Sequence, residues 1–291
     1  MKKVLVILPL VMLGAACNTQ TSYSLDWIID DGDVIAYSTT MEVADPTITI
    51  NFDDLSALLN GEADEQISDL EFALPASSSL ISILELNERG NIAVKMIVHQ
   101  VETVDQQSDN ELGQELNQLM TAMVGTVQLR GELTPEGDIA SFYLAQNQRN
   151  LLAMFFQLPT TPVQVGDSWQ LDMHCIEMDT SFVAHDAQRI NRVEFSELSE
   201  TASGQPIAVL DYVIAETVDG EIQSPFSSEK SPVAMECSFI GRGEFLIEEG
   251  RWERFTGEFT ARSTGLMESD ATQRFALTLL EEVPPEYLDL Q

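Results

Sequence analysis

Apolar and polar residues alternate most regularly in the C-terminal half of the chain. From Met235 to Ile247 the odd positions read Met, Cys, Phe, Gly, Gly, Phe, Ile, and most even positions are polar, with Ile240 and Leu246 as exceptions. A period of two sends one set of side chains to a buried face and the other to water, so the run predicts a half-buried strand. Glu248-Glu249-Gly250 predicts a turn, and Phe255, Gly257, Phe259 and Ala261 resume the alternation on the return, making one long hairpin. Phe275, Leu277 and Leu279 form a third run after an acidic break at Glu268 to Asp270. Gly241, Gly243 and Gly257 fall on the apolar series, where a missing side chain lets a sheet bend or another group approach.

The same pattern recurs upstream. Leu25 to Ile29 and Ile35 to Val43 flank Asp30-Asp31-Gly32-Asp33; Leu80 to Leu86 and Ile92 to Val98 flank Asn87 to Asn91; Val127 to Leu133 and Ile139 to Leu144 flank Pro135-Glu136-Gly137-Asp138. Each break carries glycine among acidic or amide residues, as a tight reversal requires. Further strands are predicted at Trp169 to Ile176, Ile190 to Leu198 and Ile207 to Thr217. Hairpins join neighbours in opposite directions, so the sum is antiparallel.

Three segments switch to helical spacing: Asp53 to Leu59, Asn110 to Val124 and Arg149 to Gln157. Their apolar residues recur at three and four, so each helix needs an apolar surface to cover. The predicted fold is mainly β, a large curled antiparallel sheet resembling a half-barrel, with two or three amphipathic helices packed on its concave side. Met120, Met123, Phe155, Phe156 and Trp169 would then either complete the core or line a hydrophobic cavity, methionine being suited to irregular shapes.

The first residues follow a different rule. Lys2 and Lys3 precede an apolar run from Val4 to Leu13 and the small residues Gly14, Ala15 and Ala16, the layout of a cleaved export signal. Ten apolar residues are too few for a permanent membrane helix, which needs ~20. Gly14-Ala15-Ala16 would satisfy an ordinary signal peptidase, leaving Cys17 unmodified; Leu13-Gly14-Ala15-Ala16-Cys17 also resembles the bacterial lipoprotein signal, and the resemblance implies that Cys17 is acylated and becomes the first mature residue. Asn18 follows it where an aspartate would hold such a protein at the inner membrane, which implies the outer membrane. The expected organisation is a signal peptide over 1–16, a lipidated tether over 17–24 and a single β-rich domain over 25–291.

Cysteine usage agrees with this reading. An odd thiol in an exported chain needs an explanation, and lipidation of Cys17 leaves Cys175 and Cys237 as an even pair. The two could form a disulfide in an oxidising compartment or remain buried thiols. Charge narrows the partners: 48 Asp and Glu stand against 14 Lys and Arg, and loss of two lysines with the signal takes the net charge from −34 to −36. Such a chain repels phosphate backbones, which excludes nucleic acid.

The segment LPTTPVQVGDSWQLDM (158–173) and the hairpin SFIGRGEFLIEEGRWERFTGEF (238–259) resemble a family of uncharacterised bacterial lipoproteins of unknown function. More distantly, the predicted architecture is similar to the half-barrels of lipoprotein carriers, an analogy of fold that does not carry function.

Catalytic and metal patterns fail on inspection. Gly166-Asp167-Ser168 resembles the nucleophile block of a lipolytic hydrolase family, whose partner is an Asp-x-x-His near the C-terminus, yet no histidine follows His185. A turn before a strand accounts for it. His99, His174 and His185 lack zinc spacing with one another or with a cysteine pair. A calcium loop starting at Asp31 would put Ile35 and Ala36 where a ligand and glycine are required. The reading is a non-enzymatic, cofactor-free lipoprotein of the outer membrane, facing the periplasm. Its domain is expected to bind a lipid or other hydrophobic ligand; the alternative is a structural or assembly protein that binds another envelope protein.

Overall fold

A computed structural model describes residues 21–44, 47–50, 70–73, 77–102, 118–143, 146–176, 182–223, 230–265 and 267–288. Cys17, the helix expected at Asp53 to Leu59 and the first part of that at Asn110 to Val124 lie outside them. The strands are β1 (Val34–Val43), β2 (Thr47–Ile50), β3 (Leu70–Ala73), β4 (Ser77–Leu86), β5 (Ile92–Glu102), β6 (Val127–Leu133), β7 (Ile139–Tyr143), β8 (Ser168–Trp169), β9 (Phe182–Glu200), β10 (Pro206–Gln223), β11 (Lys230–Leu246), β12 (Arg251–Thr264) and β13 (Met267–Leu279). Among the described residues the helices are α1 (Gln146–Phe156) and α2 (Pro285–Leu288), and 118–122 forms a further helical turn.

Eleven strands lie side by side in the order β7-β6-β5-β4-β1-β13-β12-β11-β10-β9-β8, and β2 pairs with β13 and β3. All pairs are antiparallel, and the sheet is open. This is the curled, half-barrel-like sheet expected from the alternation. The long hairpin is β11 and β12, with Gly241 directly opposite Gly257. A Cβ on Gly257 would stand 2.5 Å from the Phe239 ring, and one on Gly241 2.7 Å from it. The two glycines therefore make room for an aromatic ring lying across the sheet.

The concave face closes over α1. Phe155 and Phe156, in its last turn, are fully buried against Phe255, Phe275, Trp27 and Tyr37. A helix end leaves its final carbonyls without intrahelical donors. Here two indoles supply them: Trp252 Nε1 donates to the Phe155 carbonyl at 2.7 Å and Trp27 Nε1 to that of Phe156 at 2.9 Å. Leu152 lies over Gly131 of β6, where a Cβ would meet it at 2.2 Å. α1 is thereby held by Trp27, by β12 and by β6.

Several elements differ from expectation. Leu25 to Ile29 is not a strand; Leu25 and Trp27 plug the core, and the chain pairs earlier, where Tyr23 and Val163 form an antiparallel bridge. Trp169 to Ile176 holds a strand only at Ser168–Trp169. β9 and β10 extend well beyond the alternating runs, because 183–190 of β9 are exposed on both faces and offer no apolar period. The last reversal falls at Gly265, with φ of 108°, and the acidic run from Glu268 to Asp270 lies inside β13.

Candidate functional site

Pro159 and Pro162 follow α1, and the chain then turns at 164–167. The Gln164 amide donates to the Asp167 carboxylate at 3.0 Å, Gly166 takes φ of 95°, and the Gly166 amide donates to the Phe195 carbonyl at 2.7 Å. Gly166-Asp167-Ser168 is thus a turn that launches β8, with Ser168 exposed.

Beyond Trp169 the chain leaves the ladder and becomes a strap, 170–176, fastened by side chains. Asn191 of β9 works as a pincer: it accepts from the Leu171 amide at 2.9 Å and donates to the Leu171 carbonyl at 2.8 Å. Asn150 of α1 grips the His174 backbone in the same way, at 3.2 and 2.6 Å. Gln157 accepts from the Asp172 amide at 2.8 Å, Arg149 donates to the Asp172 carbonyl at 2.9 Å, and Arg189 donates to the Met173 carbonyl. Leu171 and Met173 are buried in the main core. Backbone polar groups buried away from a ladder need such partners.

The strap ends on a compact polar cluster. Glu216 lies on β10 in the inward series Tyr212, Ile214, Glu216, Val218 and is only 6% exposed. One of its oxygens accepts from the Ile176 amide at 3.1 Å, and the other meets His174 Nδ1 at 3.3 Å. Arg189 Nη1 faces His174 Nε2 at 3.2 Å. A guanidinium only donates and a carboxylate only accepts, so the ring carries its proton on Nδ1. Cys175 and Cys237 pack together beside this cluster, Cys237 buried and Cys175 half-buried. The interaction between the two thiols lowers Cys175 from the usual thiol range and raises Cys237, so Cys175 ionises first. Around them pack Ile176, Val218, Phe182, Met235 and Phe259.

The residues singled out from sequence are spread over two regions. Phe155 and Phe156 are inside the packed aromatic core. Trp169 is half-buried at the start of the strap and packs on that core, as does Met123; Met120 is half-buried on the helical turn at 118–122. Cys175 and Cys237 are brought together in one small apolar cluster. Glu216, Arg189, Asn150 and Asn191 were missed. Glu216 alone had a signal, a carboxylate on the apolar parity of a strand.

On the outer face, Ile190, Val213 and Ile240 are exposed, Ile240 by 63%. Val213 and Ile240 border a shallow groove of about 560 Å³ with Asp211, Arg242, Glu258 and Arg274. Among the described residues, no group of three or more His, Cys, Asp or Glu could hold a metal ion, and no helix is long and apolar enough to cross a membrane. No family model, curated protein or solved structure matches the chain.

Proposed function

We propose that the chain is an outer-membrane lipoprotein, anchored through an acylated Cys17, whose periplasm-facing domain binds a hydrophobic ligand without catalysing a reaction. The observation that carries the ligand is apolar surface on the concave side that is only half-buried. Met41, Val101 and Phe259 pack at the margin of the main core, and Met235 and Phe259 continue beside the cysteines. An acyl chain laid there would gain ~0.8 kcal/mol for each methylene removed from water. The anchor follows the same arithmetic, since two or more acyl chains hold firmly where one binds marginally.

Native mass spectrometry of protein purified without detergent tests the ligand. A co-purifying hydrophobic adduct is expected, and it should be lost in Met235→Trp, which fills the surface; a bare protein that also ignores a fluorescent fatty acid would end this reading. Labelling with palmitate tests the anchor, with loss of label expected in Cys17→Ala.

A second reading rests on the outer face. Exposed Ile190, Val213 and Ile240 form an apolar strip among ion pairs, the kind of patch that marks a protein contact. A photo-crosslinker at position 240 should then capture one dominant envelope protein, and Ile240→Asp should abolish the capture.

A further inference from the structure

We propose that Cys175 and Cys237 form a dithiol clasp that closes into a disulfide in the exported protein, fastening the 170–176 strap to β11, with Cys175 the sulfur that reacts first. The two thiols come from segments that no strand pairing joins, yet they pack in one small apolar cluster with Ile176 and Val218. The strap between Leu171 and Ile176 has no ladder of its own and hangs on the amides of Asn150 and Asn191, Arg189 and the Glu216 carboxylate. A covalent link at Cys175 would add a fixed point near its described end.

The order of reaction follows from burial and charge. Cys237 sits on the inward series of β11 and is 3% exposed, whereas Cys175 is half-buried. The neighbouring Cys237 favours the Cys175 thiolate most, burial and Glu216 oppose it, and Arg189 favours it. A thiolate is the attacking species in exchange, and access decides which sulfur is met first.

Closure needs an oxidant, for which an exported thiol–disulfide oxidoreductase in its disulfide form is the class required. The Cys175 thiolate attacks one sulfur of that disulfide, forming a mixed disulfide and expelling the other sulfur as a thiolate. Cys237 then loses its proton, attacks the Cys175 sulfur and expels the oxidant's second thiolate. Two protein thiols are oxidised, one oxidant disulfide is reduced to a dithiol, and the two protons pass to it.

The proposal takes only an oxidising compartment from the preceding reading, so its test uses a defined redox buffer and depends on neither export nor ligand. Full-length protein is equilibrated with glutathione disulfide, quenched in acid, alkylated in denaturant and digested. A Cys175–Cys237 cross-linked peptide, two hydrogens lighter than its separate thiol halves, is expected, and mapping by peptide keeps Cys17 apart from the result. The oxidised protein should unfold roughly 10 °C above the Cys237→Ser variant. In reduced protein, limiting alkylating agent should label Cys175 at least ~10-fold faster than Cys237, by the accessibility argument. Cys237→Ser should retain glutathione on Cys175. Recovery of both peptides fully alkylated after oxidation would overturn the clasp, and faster labelling of Cys237 would overturn the order; the peptide map of the unaltered chain decides even if a serine variant fails to fold.

Discussion

Tyr37 and Tyr212 are both fully buried and differ in one bond. The Tyr37 hydroxyl accepts from the Trp252 amide at 3.0 Å, whereas the Tyr212 hydroxyl has no hydrogen-bond partner among the described residues. Tyr37→Phe strands a buried amide and is expected to cost about 1–3 kcal/mol in urea unfolding, while Tyr212→Phe should change stability by less than ~1 kcal/mol. Burial also raises both phenols above their ordinary value. An acid held neutral in the fold contributes stability that is intact below its unfolded pKa, near 10, and lost as pH climbs beyond it. The unfolded chain releases those protons first. Stability should therefore fall from about pH 10 upward, and the decline should be shallower in the double phenylalanine variant, as read by unfolding midpoints across the alkaline range.

The strap is the element in which local pattern and tertiary structure part company. Leu171, Met173 and Cys175 alternate as a strand would, and the inward residues are indeed Leu171 and Met173, but the backbone partners are side-chain amides from β9 and α1. Asn191→Ala removes both bonds to Leu171, leaving a buried amide and carbonyl, and is expected to cost about 2–4 kcal/mol, with protease nicking near 170–176 as the local readout. By contrast β11 and β12 were legible, because each has one wet and one buried side and so writes its period into the sequence. β9 was half hidden for the opposite reason: from Val183 to Ile190 it is wet on both faces, and no hydrophobic rhythm survives. Leu25 and Trp27 mimicked a strand although their role is to fill the core and cap α1. The thiol contact was open to guesswork from parity alone; the carboxylate and guanidinium beside it came from strands whose register no local spacing fixes.

The acidic surface is ordered by strand register. Arg242 stands opposite Asp211, Arg254 opposite Glu244, Arg262 opposite Asp270 and Arg274 opposite Glu258, each pair in ionic contact across adjacent strands. Such pairs favour this register over a slipped one, which would set many acids against each other. They are exposed and contribute little each. With 48 acidic side chains against 14 basic ones, self-repulsion outweighs them, so raising sodium chloride from 0.01 to 0.5 M, which shortens the Debye length from ~30 Å to below 8 Å, is expected to raise the thermal midpoint. A fall would mean that the ion pairs dominate. The bridge between Tyr23 and Val163 has a separate corollary for the proposed anchoring. With Cys17 acylated, the stretch from Cys17 to Tyr23 would be the leash, and fully extended it would reach ~20 Å at ~3.4 Å per residue. A domain on so short a leash could not shuttle across the periplasm; its cargo or partner would have to come to the inner surface of the outer membrane to meet it.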